Sequence, residues 1–125
     1  MRSALRTDIL ILRVSDLLPK MTDKIVVLST CETDEQAKTI ARHLVEKRLA
    51  ACVNIVPGAH SIYRWKGAVE EAAEFVLLIK SRRDLFPELK AELQKVHSYE
   101  VPEAIALQIV DGSEAYLAWL DREIG

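Results

Sequence analysis

The stretch CVNIVPGAHSIYRWKGAVEEAAEFVLLIKS, Cys52–Ser81, decides the fold of this 125-residue chain because it predicts two unusually long β-strands joined by a tight turn. The first strand is interrupted at Pro57-Gly58 and resumes from Ser61 to Trp65. Proline inside a strand indicates an edge strand or a bulge. Lys66-Gly67 has the composition of a tight turn. The stretch therefore predicts a long β-hairpin.

Further strands and helices are predicted on both sides of this hairpin. Upstream, the apolar run Ile25–Leu28 predicts a first strand, and Thr33–Gln36 is a capping box that starts a helix with apolar residues at helical spacing. Downstream, Asp84–Val96 predicts a second helix, Ala104–Val110 a fourth strand, and Gly112-Ser113 the cap of a short last helix. The order βαββαβ predicts an α+β, ferredoxin-like fold with a C-terminal helix.

Composition and charge exclude several classes of protein. With 17 basic and 19 acidic residues and a net charge of −2, the chain lacks the basic footprint of a nucleic-acid-binding protein. The glycines form neither of the two common nucleotide-binding loops, and no HExxH or CxxC motif is present. Two cysteines are too few for a disulfide framework, which indicates a reducing compartment.

The first twenty residues differ from the rest. They contain four basic and two acidic residues, and their apolar run Ile9–Leu12 is far shorter than the ~20 residues that a transmembrane helix needs. No clear signal peptide follows, so no membrane partner is expected. We predict a loosely attached extension over 1–20 and a single domain over 21–125, with Met21 as an alternative start. A surface amphipathic helix is the minor alternative for the extension.

The strands predict a sheet that is apolar on both faces. Along Phe75–Ile79 the side chains alternate between the faces and all are apolar, and Ile25–Leu28 repeats this pattern. Both helices are expected on one face, so the other face needs a cover. An extended hairpin of ~45 Å would also overhang a domain about 33 Å across. We predict a homo-oligomer with sheets facing inward; the alternative is a monomer with a sharply kinked hairpin.

Three separated motifs resemble those of a known family. Leu49–Glu74 resembles the long hairpin of the CutA family of divalent-cation tolerance proteins, HSYEVPE (His97–Glu103) its second signature, and YLAWL (Tyr116–Leu120) its closing helix. The resemblance covers about Lys24–Leu120. It implies a homotrimer similar in build to the PII signalling proteins, associated with tolerance of copper and other divalent ions. It also implies a cytoplasmic bacterial protein or an organellar relative, and we expect a cytoplasmic, non-enzymatic protein.

The resemblance implies a copper site that this sequence carries only in part. Ser29 stands where the family's cysteine is expected, with Cys31 two residues later, and Val96 and His97 stand where a histidine pair is expected. Imidazole and thiolate suit copper and zinc, but a tight site needs about four ligands. We therefore expect a weak or subunit-shared site at His97 and Cys31 and no required cofactor. Alternatively, Cys31 is a small strand-end residue and His97 a cation at a helix C-terminus.

A second candidate site is a ligand cleft between subunits. Tyr63 and Trp65 belong to an aromatic and basic cluster, Glu74 ends a row of carboxylates, and Tyr99 lies in the second signature. The cluster could stack and pair a small anionic ligand, which leads to an alternative function. In that alternative, the chain is a PII-like module that binds an anionic effector and signals to a partner protein. Packing between subunits is the simpler interpretation, because such residues are enriched at interfaces.

Overall fold

The computed structural model describes residues 22–125, so the extension predicted over 1–20 lies outside the described residues. The elements are β1 (Lys24–Cys31), α1 (Asp34–Glu46), β2 (Cys52–Trp65), β3 (Ala68–Arg82), a 3₁₀ turn (Arg83–Leu85), α2 (Phe86–Val96), β4 (Ile105–Gln108) and α3 (Glu114–Arg122). The predicted order βαββαβ followed by a helix is confirmed. β1 is longer than predicted and β4 shorter.

The four strands form one antiparallel sheet in the order β2-β3-β1-β4. Helices α1 and α2 cover one side, termed the helix face, where the buried core lies. Its main members are Ile25, Val27, Ile40, Leu44, Leu77, Ile79, Leu89 and Leu93. The other side, termed the open face, carries the half-buried Val26, Leu28, Val76 and Leu78 and the exposed Ile105 and Leu107. The predicted sheet with two apolar faces is confirmed.

A bulge divides β2 into two halves. The ladder with β3 shifts register between Val56 and Ala59, and Gly58 has a φ of +88°, which favours glycine. Both predictions from Pro57-Gly58, an edge strand and a bulge, are therefore confirmed. Before the bulge, Ile55 pairs with Leu77 on the helix face. The extra residue reverses the alternation, so Tyr63 pairs with Glu70 on the side of β3 that continues the open face.

The start of α1 uses only half of the predicted capping box. The Thr33 hydroxyl accepts a hydrogen bond from the Gln36 backbone N–H at 3.0 Å, as an N-cap should. The Gln36 side chain instead reaches α2, where its Nε2 donates to the Val96 carbonyl at 3.1 Å and its Oε1 accepts from Ser98. Gln36 thus connects the start of one helix with the end of the other.

The end of α1 is a Schellman motif with arginine at the position that usually holds glycine. Leu49 N–H donates to the Leu44 carbonyl at 2.9 Å, and Arg48 has a φ of +58°. The Arg48 guanidinium donates to the carbonyls of Arg122, at 2.8 Å, and Gly125, at 3.2 Å. The first of these bonds helps to explain the arginine, because it satisfies the carbonyl of the last residue of the C-terminal helix Glu114–Arg122, which that helix leaves free.

Helix α3 lies across one end of the open face. Asp121 accepts from Lys24, at 3.1 Å, and from Arg82, at 3.0 Å, and both of these side chains start from open-face positions. Ser113 occupies the N-cap position predicted at Gly112-Ser113, but its side chain makes no capping hydrogen bond. The rest of the open face has no cover from residues 22–125.

Candidate functional site

Four of the six predicted site residues meet at one end of the sheet, where β1 ends and the chain leaves α2. Cys31 pairs with the β3 residue next to Glu74, and His97 directly follows α2. Tyr99 Oη donates to Glu74 Oε2 at 2.6 Å, and the rings of His97 and Tyr99 lie 4.6 Å apart between centroids. Cys31, Glu74, His97 and Tyr99 are termed the β1-end cluster below.

Both ring nitrogens of His97 are occupied by hydrogen bonds. The Tyr99 N–H donates to Nδ1 at 3.0 Å, and Nε2 lies 2.7 Å from the Thr30 carbonyl. Because an N–H can only donate and a carbonyl can only accept, the ring is assigned as neutral with its proton on Nε2. His97 is 8% exposed and links the loop to β1. A metal ion at either nitrogen would have to displace one of these bonds.

The Cys31 thiol is fully buried and donates to the Thr33 carbonyl at 3.5 Å. Burial raises the pKa of the thiol, and the nearby charges of Glu74, Asp34 and Glu32 raise it further. Since the thiolate is the form that binds metals, this position opposes metal binding. Ser29 is also fully buried, and its hydroxyl has no hydrogen-bond partner among residues 22–125.

The β1-end cluster is an acidic environment. Glu74 is 7% exposed, and within residues 22–125 no basic side chain forms an ion pair with it. Burial and the Glu74 charge raise the pKa of the Glu103 carboxyl. Burial and the hydrogen bond to Glu74 also raise the pKa of the Tyr99 phenol. These charges suit a positively charged group and disfavour an anionic ligand.

No ready-made metal centre is present in the described part of the chain. Residues 22–125 contain no group of three or more His, Cys, Asp or Glu side chains arranged to hold a metal ion. His97 and Cys31 are thus brought into one neighbourhood, but without further ligands.

Tyr63 and Trp65 do not join the β1-end cluster within one chain. They lie on the same side of the hairpin as Glu74, but Trp65 pairs with Ala68, six residues along β3 from Glu74. At ~3.3 Å per residue the separation is about 20 Å. Both aromatic side chains are exposed. Within one chain, the four residues predicted to line a cleft therefore do not come together.

A polar cluster between α1 and α2 was not predicted from the sequence. Glu92 is 7% exposed, and its carboxylate accepts from His43 at 2.8 Å and from Lys95 at 2.9 Å, with Lys47 at 3.4 Å. His43 is thus half-buried and paired with Glu92. Helical spacing relates His43 to Lys47, and Glu92 to Lys95, but only the packing of α1 against α2 brings the two pairs together.

The other reactive side chains lie outside both clusters. His60 contacts Glu71 across the hairpin at 3.1 Å and is exposed. Cys52 is half-buried, and its Sγ lies 3.9 Å from the Asn54 side-chain oxygen. Position on an edge strand explains this exposure.

Over residues 22–125, a four-stranded antiparallel sheet with three helices, βαββαβ order and a long hairpin defines a small α+β fold of ferredoxin-like topology. A family model described as CutA1 divalent ion tolerance protein matches residues 25–123. The chain belongs to the CutA1 family, which confirms the resemblance found in the three motifs.

Individual relatives extend this result. The chain is 53% identical over 100 residues to the divalent-cation tolerance protein CutA of Thermus thermophilus, covering 80% of this chain and 97% of that protein. It is 50% identical over 93 residues to protein CutA of Mus musculus, covering 74% of this chain and 52% of the mouse protein. The solved Thermus thermophilus structure matches with a TM-score of 0.80 and 52% identity over 82% of this chain and 99% of that chain.

The expectation of a cytoplasmic location is wrong as an inference from the family. An Arabidopsis thaliana relative, 46% identical over 81% of this chain and 56% of its own length, is named chloroplastic. A solved Archaeoglobus fulgidus structure, 37% identical with a TM-score of 0.79 over 82% of this chain and 99% of that chain, is titled periplasmic. Location therefore varies among relatives. Among the helices of residues 22–125, none combines the length and apolar character needed to cross a bilayer.

Proposed function

We propose that the chain contributes to tolerance of divalent metal ions as a non-enzymatic homotrimer that binds copper or another divalent cation weakly at His97 and Cys31. The observation that carries the proposal is the family match over residues 25–123, together with a Thermus thermophilus relative that is named for divalent-cation tolerance. The family supports the role in tolerance. The β1-end cluster supports the choice of His97 and Cys31 as ligands.

Weak binding follows from what a metal ion would have to displace. At His97 it competes with the bond to the Thr30 carbonyl or with the bond from the Tyr99 N–H. At Cys31 it competes with a proton that burial and nearby carboxylates hold on the thiol. Binding must release that proton, so the affinity is expected to rise with pH. The charge of Glu74 acts on Cys31, and its carboxylate bonds Tyr99, whose ring lies beside that of His97, so Glu74 favours a positive charge at this cluster.

Assembly from identical copies is supported by the open face and the hairpin. Leu78 and Leu107 belong to an apolar surface that residues 22–125 cover only at the α3 end. The hairpin beyond the bulge carries exposed aromatic and aliphatic side chains far from the core of its own chain. The number three rests on the family resemblance. The proposed ligand cleft of Tyr63, Trp65, Glu74 and Tyr99 belongs to this assembly.

Calorimetric titration tests the metal site. Cu(II) and Zn(II), and Cu(I) under reducing conditions, are titrated into the wild type and into the variants His97→Ala and Cys31→Ser. His60→Ala is the matched control, because His60 is exposed and lies on the hairpin outside the β1-end cluster. We expect weak binding that is lost in His97→Ala and retained in His60→Ala. Absence of binding heat in the wild type, or equal loss in the control, contradicts the proposed site.

A further inference from the structure

A groove on the helix face, between α1 and the edge strand β2, has an apolar floor; it is termed the α1–β2 groove. Val53 and Ile55 of β2 are half-buried in it, and Val45 of α1 is 39% exposed at its side. Because β2 has no strand on its outer side within residues 22–125, the groove is open along that edge. Its volume of about 360 Å³ is within the range of small-molecule sites.

The rim of the α1–β2 groove carries charged side chains from one side of α1. Lys38, Arg42 and Glu46 are each four residues apart, which places them in a row along the helix. Lys38 forms an ion pair with Asp34 at 2.9 Å. Arg42 is exposed and forms no ion pair with any of residues 22–125. The Arg42 guanidinium is therefore available to an anionic group that enters the groove.

A polar depression on the surface of α1 shares this rim. Its lining adds Thr39 and His43 to Lys38, Arg42 and Glu46, so it contains a hydroxyl and two permanent cations. Glu46 borders both the depression and the groove, but it lies eight residues from Lys38, about 12 Å along the helix axis. An anionic group beside Lys38 and Arg42 would therefore have two cations close to it and the carboxylate of Glu46 at the far end.

The two ends of the α1–β2 groove differ in charge. Helix α1 ends at Glu46 and β2 begins soon afterwards at Cys52, so the helix and the strand run in opposite directions. Ile55 therefore lies towards the Lys38 end of the groove, and Val53 lies towards the Glu46 end. An elongated ligand with one anionic end is oriented by these charges, because Glu46 repels that end and Lys38 attracts it.

We propose that the α1–β2 groove binds an amphiphilic anion, a small molecule with an aliphatic chain and a carboxylate at one end. The carboxylate pairs with Arg42 and Lys38, and arginine suits this role because its planar group binds a carboxylate through two parallel hydrogen bonds. The aliphatic chain lies over Val45 and Val53 and removes their exposed surface from water. The groove is on the helix face, whereas assembly is proposed through the open face, so the inference depends neither on that assembly nor on the metal site.

Nuclear magnetic resonance titration of the full chain tests the site, with sodium octanoate as the probe and octanol as its neutral control. We expect octanoate to shift the backbone amide signals of residues 38–46 and 52–56. Arg42→Gln should raise the dissociation constant for octanoate by at least about threefold and leave that for octanol unchanged. Val45→Ser should raise both constants, because it removes apolar surface from the groove. Arg122→Gln, which changes an exposed arginine of α3, is the matched control and should bind octanoate as the wild type does.

Three other outcomes would overturn the proposal. If octanoate shifts no signals, or shifts only those of open-face residues such as Leu28 and Leu107, the α1–β2 groove is not a binding site. If Arg42→Gln weakens the binding of octanoate and octanol equally, the carboxylate does not pair with Arg42. If Arg122→Gln weakens octanoate binding as much as Arg42→Gln does, the effect comes from the net charge of the chain rather than from a pairing in the groove.

Discussion

At the scale of single residues, two buried serines differ in whether the hydroxyl group has a hydrogen-bond partner. Ser29 on β1 and Ser81 on β3 are both fully buried on the helix face. The Ser81 hydroxyl donates to the Leu49 carbonyl at 2.6 Å, whereas the Ser29 hydroxyl has no partner in the described residues. A buried hydroxyl without a partner destabilises the fold, and one with a partner stabilises it.

Alanine should therefore have opposite effects at these two positions. Ser29→Ala is expected to raise the free energy of unfolding by about 1 kcal/mol, because it removes an unsatisfied polar group. Ser81→Ala is expected to lower it by about 1–2 kcal/mol, because the Leu49 carbonyl loses its donor. Urea denaturation at one fixed protein concentration measures both. Equal destabilisation by the two substitutions would show that the Ser29 hydroxyl has a partner in solution.

Glu92 gives the fold a dependence on pH. Hydrogen bonds from Lys95 and His43 lower the pKa of its carboxyl from 4.5 to about 2, against the opposing effect of burial. The folded state thus binds its proton less readily than the unfolded state. The stabilisation is complete above about pH 4.5 and is lost as the pH falls through about 2.

Glu92→Gln should weaken this acid dependence. The variant cannot titrate at this position, so its free energy of unfolding should fall less steeply between pH 4.5 and pH 2 than that of the wild type. Chemical denaturation at a series of pH values measures the slope. Glu88→Gln, on the same helix but exposed, is the matched control. Identical slopes for Glu92→Gln and the wild type contradict the role of Glu92.

At the scale of elements, Arg48 connects the ends of two helices. Its φ of +58° is unfavourable for a residue with a side chain, yet its guanidinium donates to the carbonyl of Arg122, the last residue of α3, and to Gly125 beyond it. Lys66 has a similar φ of +49° in the hairpin turn, without any hydrogen bond to another element among the described residues. The positive φ at Arg48 is therefore accompanied by hydrogen bonds to the end of the chain, whereas the positive φ at Lys66 is accompanied by none among the described residues.

Replacing Lys66 or Arg48 with glycine should distinguish the effect of backbone strain from the effect of side-chain hydrogen bonds. Lys66→Gly is expected to stabilise the fold by up to about 1 kcal/mol, because glycine adopts a positive φ readily. Arg48→Gly gains the same relief but loses its bonds to α3. Amide hydrogen exchange should therefore become faster over Glu114–Arg122 in Arg48→Gly and stay unchanged there in Lys66→Gly. Unchanged protection of α3 in Arg48→Gly contradicts the proposed connection.

The order of the elements could be predicted from sequence because each has a local signal. Apolar runs indicated the strands, and Thr33 marked the start of α1. Where a boundary depends on a distant partner, the prediction failed. The Gln36 side chain bonds α2 rather than completing the capping box, and β4 is shorter than its apolar pattern because only Ile105–Gln108 pairs with β1. The sequence around Arg48 also contains no pattern that predicts its contact with α3.

At the scale of the whole molecule, the open face should control assembly. Leu107 is 48% exposed in the single chain, so a charge there should be tolerated by the fold and excluded from an interface. We expect Leu107→Lys to reduce the mass measured by light scattering to that of one 14.1 kDa chain. Val45→Lys, at an exposed apolar position on α1, should leave the mass of the assembly unchanged. A wild type of 14.1 kDa, or a Leu107→Lys variant that still assembles, contradicts this prediction.

The candidate site could be predicted only in part, because its members are joined by tertiary contacts. The family motifs identified His97, Tyr99 and Glu74, and the structure places them together. The hydrogen bond that occupies Nε2 of His97 depends on the position of the Thr30 carbonyl, for which the sequence carries no pattern. The separation of Trp65 from Glu74 depends on how far the hairpin stays paired.

The extra residue at Pro57-Gly58 sets the direction in which the outer half of the hairpin leaves the sheet. Because Tyr63 is paired with Glu70 on the unbroken strand β3, deleting Gly58 would restore a regular ladder and leave Tyr63 and Trp65 on their present side. The deletion would instead remove the local bend and the added twist that a bulge gives to its strand. In the evolution of this chain, loss of that residue is therefore expected to redirect the whole hairpin rather than to exchange its two sides.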